Sequence, residues 1–189
     1  MTASEVLDRF RTAGALLEGH FLLSSGLHSS SYLQAALVLQ YPPEAEWFGK
    51  AIAAEYAQKG IELVASPALG GIIIGHEVAR ALNARLIWTE RQQGKMTLRR
   101  GFRVREGELT LVVEDVITTG GSTRETIETL RAAGARVVAA ASIVDRSVGT
   151  AQVGVPRSAL ITLDVPTFEP AVCEQCKRGV PLVKPGSRG

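Results

Sequence analysis

The chain has 189 residues, 46% of them hydrophobic, and a formal net charge of +2 from 21 basic and 19 acidic side chains. That length is enough for one domain with a full core, and a near-balanced charge spread along the chain argues against nucleic acid as the main partner. No run reaches the roughly 18 apolar residues of a membrane span, and MTASEVLDRFRTAG lacks the basic stretch and apolar core of a leader, so a soluble cytoplasmic protein with no membrane partner is expected.

In chain order, Ser4, Glu5 and the apolar Val6, Leu7 and Phe10 predict a short capped helix, followed by an extended stretch from Ala15 to Leu23. Pro42 and Pro43 open an amphipathic helix whose apolar Trp47, Phe48, Ala51, Ile52 and Tyr56 recur at helical spacing, with Gly60 in a C-terminal cap position. A repeating theme follows. ELVAS (62–66), ARLIW (84–88), LTLVVED (109–115), RVVAAASIV (136–144) and SALITLDV (158–165) read as strands, with helices at Gly71–Leu82 and Ser122–Ala133. Strands apolar on both faces and alternating with helices imply a parallel sheet covered on each side. Between Thr89 and Gly107 the sequence is rich in Arg and Lys with little periodicity and reads as a long exposed loop or arm. The tail from Pro166 to Gly189 reads as irregular, wrapping the surface.

The string LVVEDVITTGGST, 111–123, carries the most chemistry. An apolar strand ends in Glu114 and Asp115, then turns through glycine into a helix, and ligands of open parallel sheets bind beyond such strand ends. Gly120 and Gly121 let backbone approach a phosphate, Thr118, Thr119 and Ser122 add hydroxyls, and the two carboxylates can accept hydrogen bonds from a ribose. The bland reading is that Ser122-x-x-Glu125 is a capping box and the glycines a common turn. It leaves unexplained two like charges side by side at a buried strand end.

This string resembles the motif with which type I phosphoribosyltransferases bind phosphoribosyl pyrophosphate (PRPP). Its departure is Glu114 where many members have Asp. The resemblance implies the type I phosphoribosyltransferase fold, an α/β architecture with a central, mostly parallel sheet flanked by helices and a small N-terminal hood. It also implies a single domain over 1–189, with the hood at about 1–40, the mobile arm at about 89–107 and the irregular tail at 166–189. GHFLLSSGLHSSSYLQ (19–34), SPALGG (66–71) and TERQQGKMTLRRGF (89–102) further resemble the hairpin over the base, the pyrophosphate loop and the catalytic arm of bacterial orotate phosphoribosyltransferases. What that resemblance implies is transfer of ribose 5-phosphate from PRPP to orotate, giving orotidine 5'-monophosphate and pyrophosphate in pyrimidine biosynthesis. PRPP would be held by Arg91, Lys95, Glu114, Asp115, Val116, Ile117, Thr118, Thr119, Gly120, Gly121 and Ser122, with Leu69, Gly70 and Gly71 as the pyrophosphate loop. Lys95 and Asp115 would be catalytic, and Thr118 and Arg146 would meet orotate. A guanidinium at Arg146 can grip the ring carboxylate with two hydrogen bonds; the alternative is an ordinary Asp145–Arg146 surface pair. For Arg91, Lys95, Arg99 and Arg100 the alternative is a solvated charge run. The arm has Gln92 and Thr97, and the loop Gly70, where some members have lysine, histidine and lysine.

Magnesium is expected to ride on PRPP, with no protein metal site. The arm's resemblance to the family's, which reaches into the neighbouring subunit's site, implies a homodimer with shared active sites. Cys173 and Cys176 are half a zinc site whose other half a dimer could supply, but no nearby histidine is expected to complete a set within one chain, so a structural or incidental role is expected. Of the isolated histidines, His76 is expected to be structural, and His28 could meet phosphate. Two competing functions are a purine phosphoribosyltransferase and a non-catalytic PRPP-sensing regulator; the low net charge and the arm lysine disfavour the regulator.

Overall fold

The computed structural model describes residues 2–23 and 25–185, so Ser24 of the hairpin string and residues 186–189 of the tail lie outside the described residues. Helix α1 (Ala3–Thr12) starts on a capping box made by Thr2 and Glu5, while Ser4 sits inside the first turn and bonds Asp8. Strands β1 (Leu16–Leu22) and β2 (His28–Leu33) form an antiparallel hairpin, followed by α2 (Ala35–Leu39) and α3 (Pro42–Tyr56). The C-cap of α3 is Ala57, and Gly60 takes its positive φ of 64° in the turn beyond.

The main sheet has the order β5-β4-β3-β6-β7-β8, built from β3 (Leu63–Pro67), β4 (Arg85–Gln92), β5 (Lys95–Leu98), β6 (Leu109–Ile117), β7 (Arg136–Asp145) and β8 (Arg157–Thr162). All pairs are parallel except β4 with β5. Helix α4 (Gly71–Leu82) joins β3 to β4 and α5 (Gly121–Ala132) joins β6 to β7. Alternate residues of one strand serve two cores. Val64, Leu111 and Val113 pack with Phe48, Ile52, Ile74 and Val78 of α3 and α4, whereas Leu63, Ala65 and Val112 pack with Ile127 and Leu130 of α5. This is why the strands read as apolar on both faces. At Gly49 the two helices approach so closely that a Cβ would lie 2.4 Å from the Glu77 Cβ.

The chain leaves β3 toward β4 on one side and returns with β6 on the other. That reversal opens a crevice between the carboxyl ends of β3 and β6, where doubly wound sheets bind ligands.

Two expectations change. The 89–107 arm is no structureless loop: β4 runs on to Gln92, Gln93 and Gly94 turn with φ of 50° and 82°, and β5 pairs back with Gln92 opposite Lys95. Two consecutive left-handed residues suit a tight hairpin turn, and an exposed hairpin needs no apolar alternation to announce it. Nor does the tail merely wrap the surface. Its strand β9 (Thr167–Phe168) pairs with β2, and short helix α6 (Glu174–Lys177) follows.

At the opposite, amino end of the sheet, the buried Glu108 carboxylate receives Arg85 at 2.9 and 2.6 Å and Arg105 at 3.0 and 2.9 Å, plus the Arg105 N–H. The Arg85 hydrogen bonds above all hold its pKa down to about 2. Its folded pKa lies below the unfolded value, so its contribution is present above about pH 4.5 and is lost as pH falls toward 2. Both arginines are substantially exposed, which screens the pair. Glu108→Gln is therefore expected to lower the unfolding free energy by about 2 kcal/mol at neutral pH and to flatten the acid limb of stability, measured by urea unfolding from pH 7 to 3.

Candidate active site

Glu114 and Asp115 are neighbours in β6, so their side chains leave opposite faces of the sheet. Glu114 turns toward α5, where the Thr123 hydroxyl donates a short hydrogen bond to its Oε2. Asp115 turns the other way, against the loop after β3: a Cβ built on Gly70 would stand 2.8 Å from both Asp115 carboxylate oxygens. The two acids therefore flank the crevice rather than forming a side-by-side pair. Burial drives both upward, Glu114 to about 8 and Asp115 above its ordinary value, although Thr123 opposes the first shift and the N–H groups of Val116 and Asp115 oppose the second. Acids held this way are poised for a ligand rather than spent on an ion pair.

Leu69, Gly70 and Gly71 form the wall on the β3 side, with Leu69 76% exposed and the 68–69 peptide cis. Gly70 has an ordinary helical φ of −56°, so its backbone does not call for glycine; the missing side chain leaves room that the Asp115 carboxylate takes.

On the β6 side, Val116 and Ile117 complete the strand, and exposed Thr118 and Thr119 lead into Gly120 and α5. Gly120 has a φ of 75°, and a Cβ there would come within 2.8 Å of Val153. Both facts require glycine. The N-cap of α5 is Gly120, with no side-chain cap, so the Ser122–Glu125 capping box does not form. Ser122 lies inside the first turn, and Glu125 instead meets Arg91. Apart from the Gly121 N–H, which donates to Thr119 Oγ1 at 3.4 Å, the turn offers N–H groups and hydroxyls at the positive end of a helix, a ready site for an anion.

Arg146 follows β7, its N–H donating to the Ile117 carbonyl at 2.7 Å. Its neighbour Asp145 pairs with Arg157 at 2.6 Å and accepts from Ser147, so the Asp145–Arg146 pair does not exist. Arg146 is left with a buried Nε that has no partner, and burial lowers its pKa. Tyr32 of β2 and Asp115 both act on this neighbourhood: Asp115 and burial raise the Tyr32 pKa while Arg146 lowers it. The hood hairpin, Arg146 and the β6 acid thus face one space. Sequence reasoning missed Tyr32, whose only signal was a tyrosine among three serines in the hairpin string.

The arm residues lie apart from this space. Arg91 bonds the Gly94 carbonyl at 2.7 Å and pairs with Glu125 at 2.9 Å. Arg99 and Arg100 both pair with Glu90, which Arg100 chiefly holds below its ordinary pKa. These two realise the solvated-charge reading. Lys95, by the hairpin turn, is exposed and makes no side-chain hydrogen bond or ion pair among the described residues.

The histidines are redistributed. His76 is exposed on α4, 3.6 Å from Glu77. His28 is buried and lies 3.2 Å from Cys176 Sγ rather than facing the phosphate turn, and His20 joins it. Two histidines therefore do complete the cysteine pair within one chain, because the β9 pairing folds the tail back onto the hairpin.

The phosphoribosyl transferase domain family model matches residues 45–168. The orotate phosphoribosyltransferase of Caldicellulosiruptor bescii is 52% identical over 188 residues, covering 100% of this chain and 99% of that protein. Among solved structures, orotate phosphoribosyltransferase from Aeropyrum pernix superposes with a TM-score of 0.70 at 27% identity, covering 84% of this chain and 93% of that one. The Mycobacterium tuberculosis H37Rv orotate phosphoribosyltransferase in complex with PRPP shares the fold, with a TM-score of 0.63 at 22% identity over 82% of this chain and 96% of that one. A full-length match at this identity, on a sheet that sets two acids and a glycine turn around its switch point, places the chain in the orotate phosphoribosyltransferase family.

Proposed function

We propose that the chain transfers ribose 5-phosphate from PRPP to orotate, and the observation that carries this reading is the half-buried Arg146, whose buried Nε has no hydrogen-bond partner. A buried donor without a partner costs stability unless an acceptor arrives to meet it. The planar ring carboxylate of orotate suits a guanidinium fork, and purine bases carry no such group. Because Asp145 is committed to Arg157, Arg146 is free for that task.

In this reading the 5-phosphate rests on the Thr118–Ser122 turn, the ribose lies by Glu114 and Asp115, and the pyrophosphate runs along Leu69–Gly71, whose glycines leave backbone N–H groups accessible. Thr118 and Tyr32 border the base. The bond from the ribose anomeric carbon to pyrophosphate breaks as the bond to the orotate ring nitrogen forms, and the proton of that ring N–H is released to solvent. Asp115, close to the reacting sugar, steadies the electron-poor ribose, and the cation of Lys95 meets charge developing on the leaving group.

The donor set fits magnesium carried by the substrate. Glu114 and Asp115 diverge, and among the described residues no cluster of three metal-binding side chains forms at the crevice. When bound, magnesium neutralises charge on the pyrophosphate. The exposed Lys95 side chain makes no hydrogen bond or ion pair among the described residues, which supports a homodimer in which each arm closes its neighbour's site. Among the described residues no helix is long and apolar enough to cross a membrane, in keeping with a cytoplasmic enzyme.

The primary test is purified chain with PRPP, magnesium and orotate, which should release pyrophosphate and orotidine 5'-monophosphate; turnover with hypoxanthine but not orotate would refute the assignment. Arg146→Ala should raise the orotate KM by about 10- to 100-fold, the loss of one charge-assisted pair, with the PRPP KM nearly unchanged. Equal losses for both substrates would point to a damaged fold. Lys95→Ala should cut kcat by about 100- to 1,000-fold with PRPP binding retained, read by steady-state kinetics and titration; an unaltered kcat would remove Lys95 from the chemistry.

A further inference from the structure

We propose that His20, His28, Cys173 and Cys176 bind one zinc ion that pins the tail onto the hood hairpin. The four ligand atoms lie within 4.8 Å of one another. His20 Nε2 is 2.9 Å from His28 Nδ1, 3.5 Å from Cys173 Sγ and 3.6 Å from Cys176 Sγ, and Cys176 Sγ is 3.2 Å from His28 Nδ1. Zinc bonds of about 2.0–2.1 Å to nitrogen and about 2.3 Å to sulfur give tetrahedral edges of roughly 3.3–3.8 Å, so small movements seat the ion.

The protonation pattern also fits. The Val180 carbonyl, 2.8 Å from His20 Nδ1, can only accept, so Nδ1 carries the proton and Nε2 turns a bare lone pair to the cluster. Orientation of a histidine by a backbone carbonyl is the usual outer support of a metal ligand. Two thiolates and two neutral imidazoles cancel the charge of a divalent ion, which makes the site tolerable in a buried place. Cys173, His20 and His28 are only 1, 3 and 5% exposed, and four protein ligands leave no open position, so this is a closed structural site rather than a catalytic one.

The surrounding backbone explains what the ion would secure. A bulge between Glu18 and Phe21 shifts the β1 register and lets the adjacent His20 and Phe21 both be buried. The tail then crosses the hairpin through Val183 N–H to the His20 carbonyl at 2.8 Å, Leu22 N–H to the Val183 carbonyl at 2.8 Å, and Gln175 Nε2 to the Gly19 carbonyl at 2.8 Å. Few apolar side chains hold these segments, since Phe168, Val172, Leu182 and Val183 are exposed. A metal supplies what the missing core does not.

The test is metal content of the reduced chain, purified without chelator, followed by cobalt replacement. About one zinc per chain is expected, and cobalt should give intense tetrahedral visible bands with a thiolate charge-transfer band. Cys176→Ser, at the exposed ligand and least able to disturb folding, should weaken zinc by about 100-fold or more, above the 10- to 100-fold produced by losing an outer-shell partner. His76→Ala should bind as the parent does. Chelation should lower the thermal midpoint and speed proteolysis of the tail. A Cys173–Cys176 disulfide without zinc, cobalt bound only in an octahedral spectrum, or full affinity in both Cys176→Ser and His28→Ala would overturn the proposal.

Discussion

The loops after β3 and β6 share one crevice, and across it Gly70 stands against the Asp115 carboxylate. The Asp115 carboxylate occupies the volume that a Cβ at Gly70 would fill, so the first turn of α4 is drawn close against the strand that bears the acids. Parallel pairing of Leu63 with Thr110 through Ala65 with Val112, carried on, sets the end of β3 opposite Glu114, with β6 running on to Ile117. Once that contact is made, the Gly120 turn stands opposite the Leu69–Gly71 wall across a crevice of the kind in which a phosphorylated sugar is bound.

The two ends of the sheet are treated differently. At the amino end, Glu108 is saturated with donors from Arg85 and Arg105 and held as a carboxylate. At the carboxyl end, Glu114 and Asp115 are pushed toward their neutral forms and Arg146 keeps an unpartnered nitrogen. One end contributes stability and the other gives some of it up. Such a division is expected where binding residues must be desolvated before the ligand comes, because the same groups that burden the empty site favour the filled one.

Much of this was legible in the sequence, for physical reasons that can be named. Strands buried on both faces read as unbroken apolar runs, and α4 falls where glycine and helical spacing set it. The acids, the Gly120 turn and Arg146 stood out as candidates because charge and glycine at a buried strand end are hard to explain otherwise. What escaped notice depended on distant pairings. The exception is the divergence of Glu114 from Asp115, which follows from strand alternation and is already implied by the expected strand 109–115, although the two acids read as one pair. The β4–β5 hairpin has little apolar periodicity, and the meeting of His20 with Cys173 spans 153 residues of chain. No local pattern encodes that encounter; it comes from β9 pairing with β2.

The hood, the β6 turn and Arg146 converge from three parts of the chain, and the account stands or falls on their serving one ligand. A crystal structure of the chain with orotidine 5'-monophosphate tests this most directly. The phosphate should accept hydrogen bonds from the N–H groups and hydroxyls of the 118–122 turn, and the ring carboxylate should lie on Arg146 near Tyr32. A nucleotide bound with its phosphate away from Gly120, leaving the Arg146 guanidinium unpaired, would contradict it.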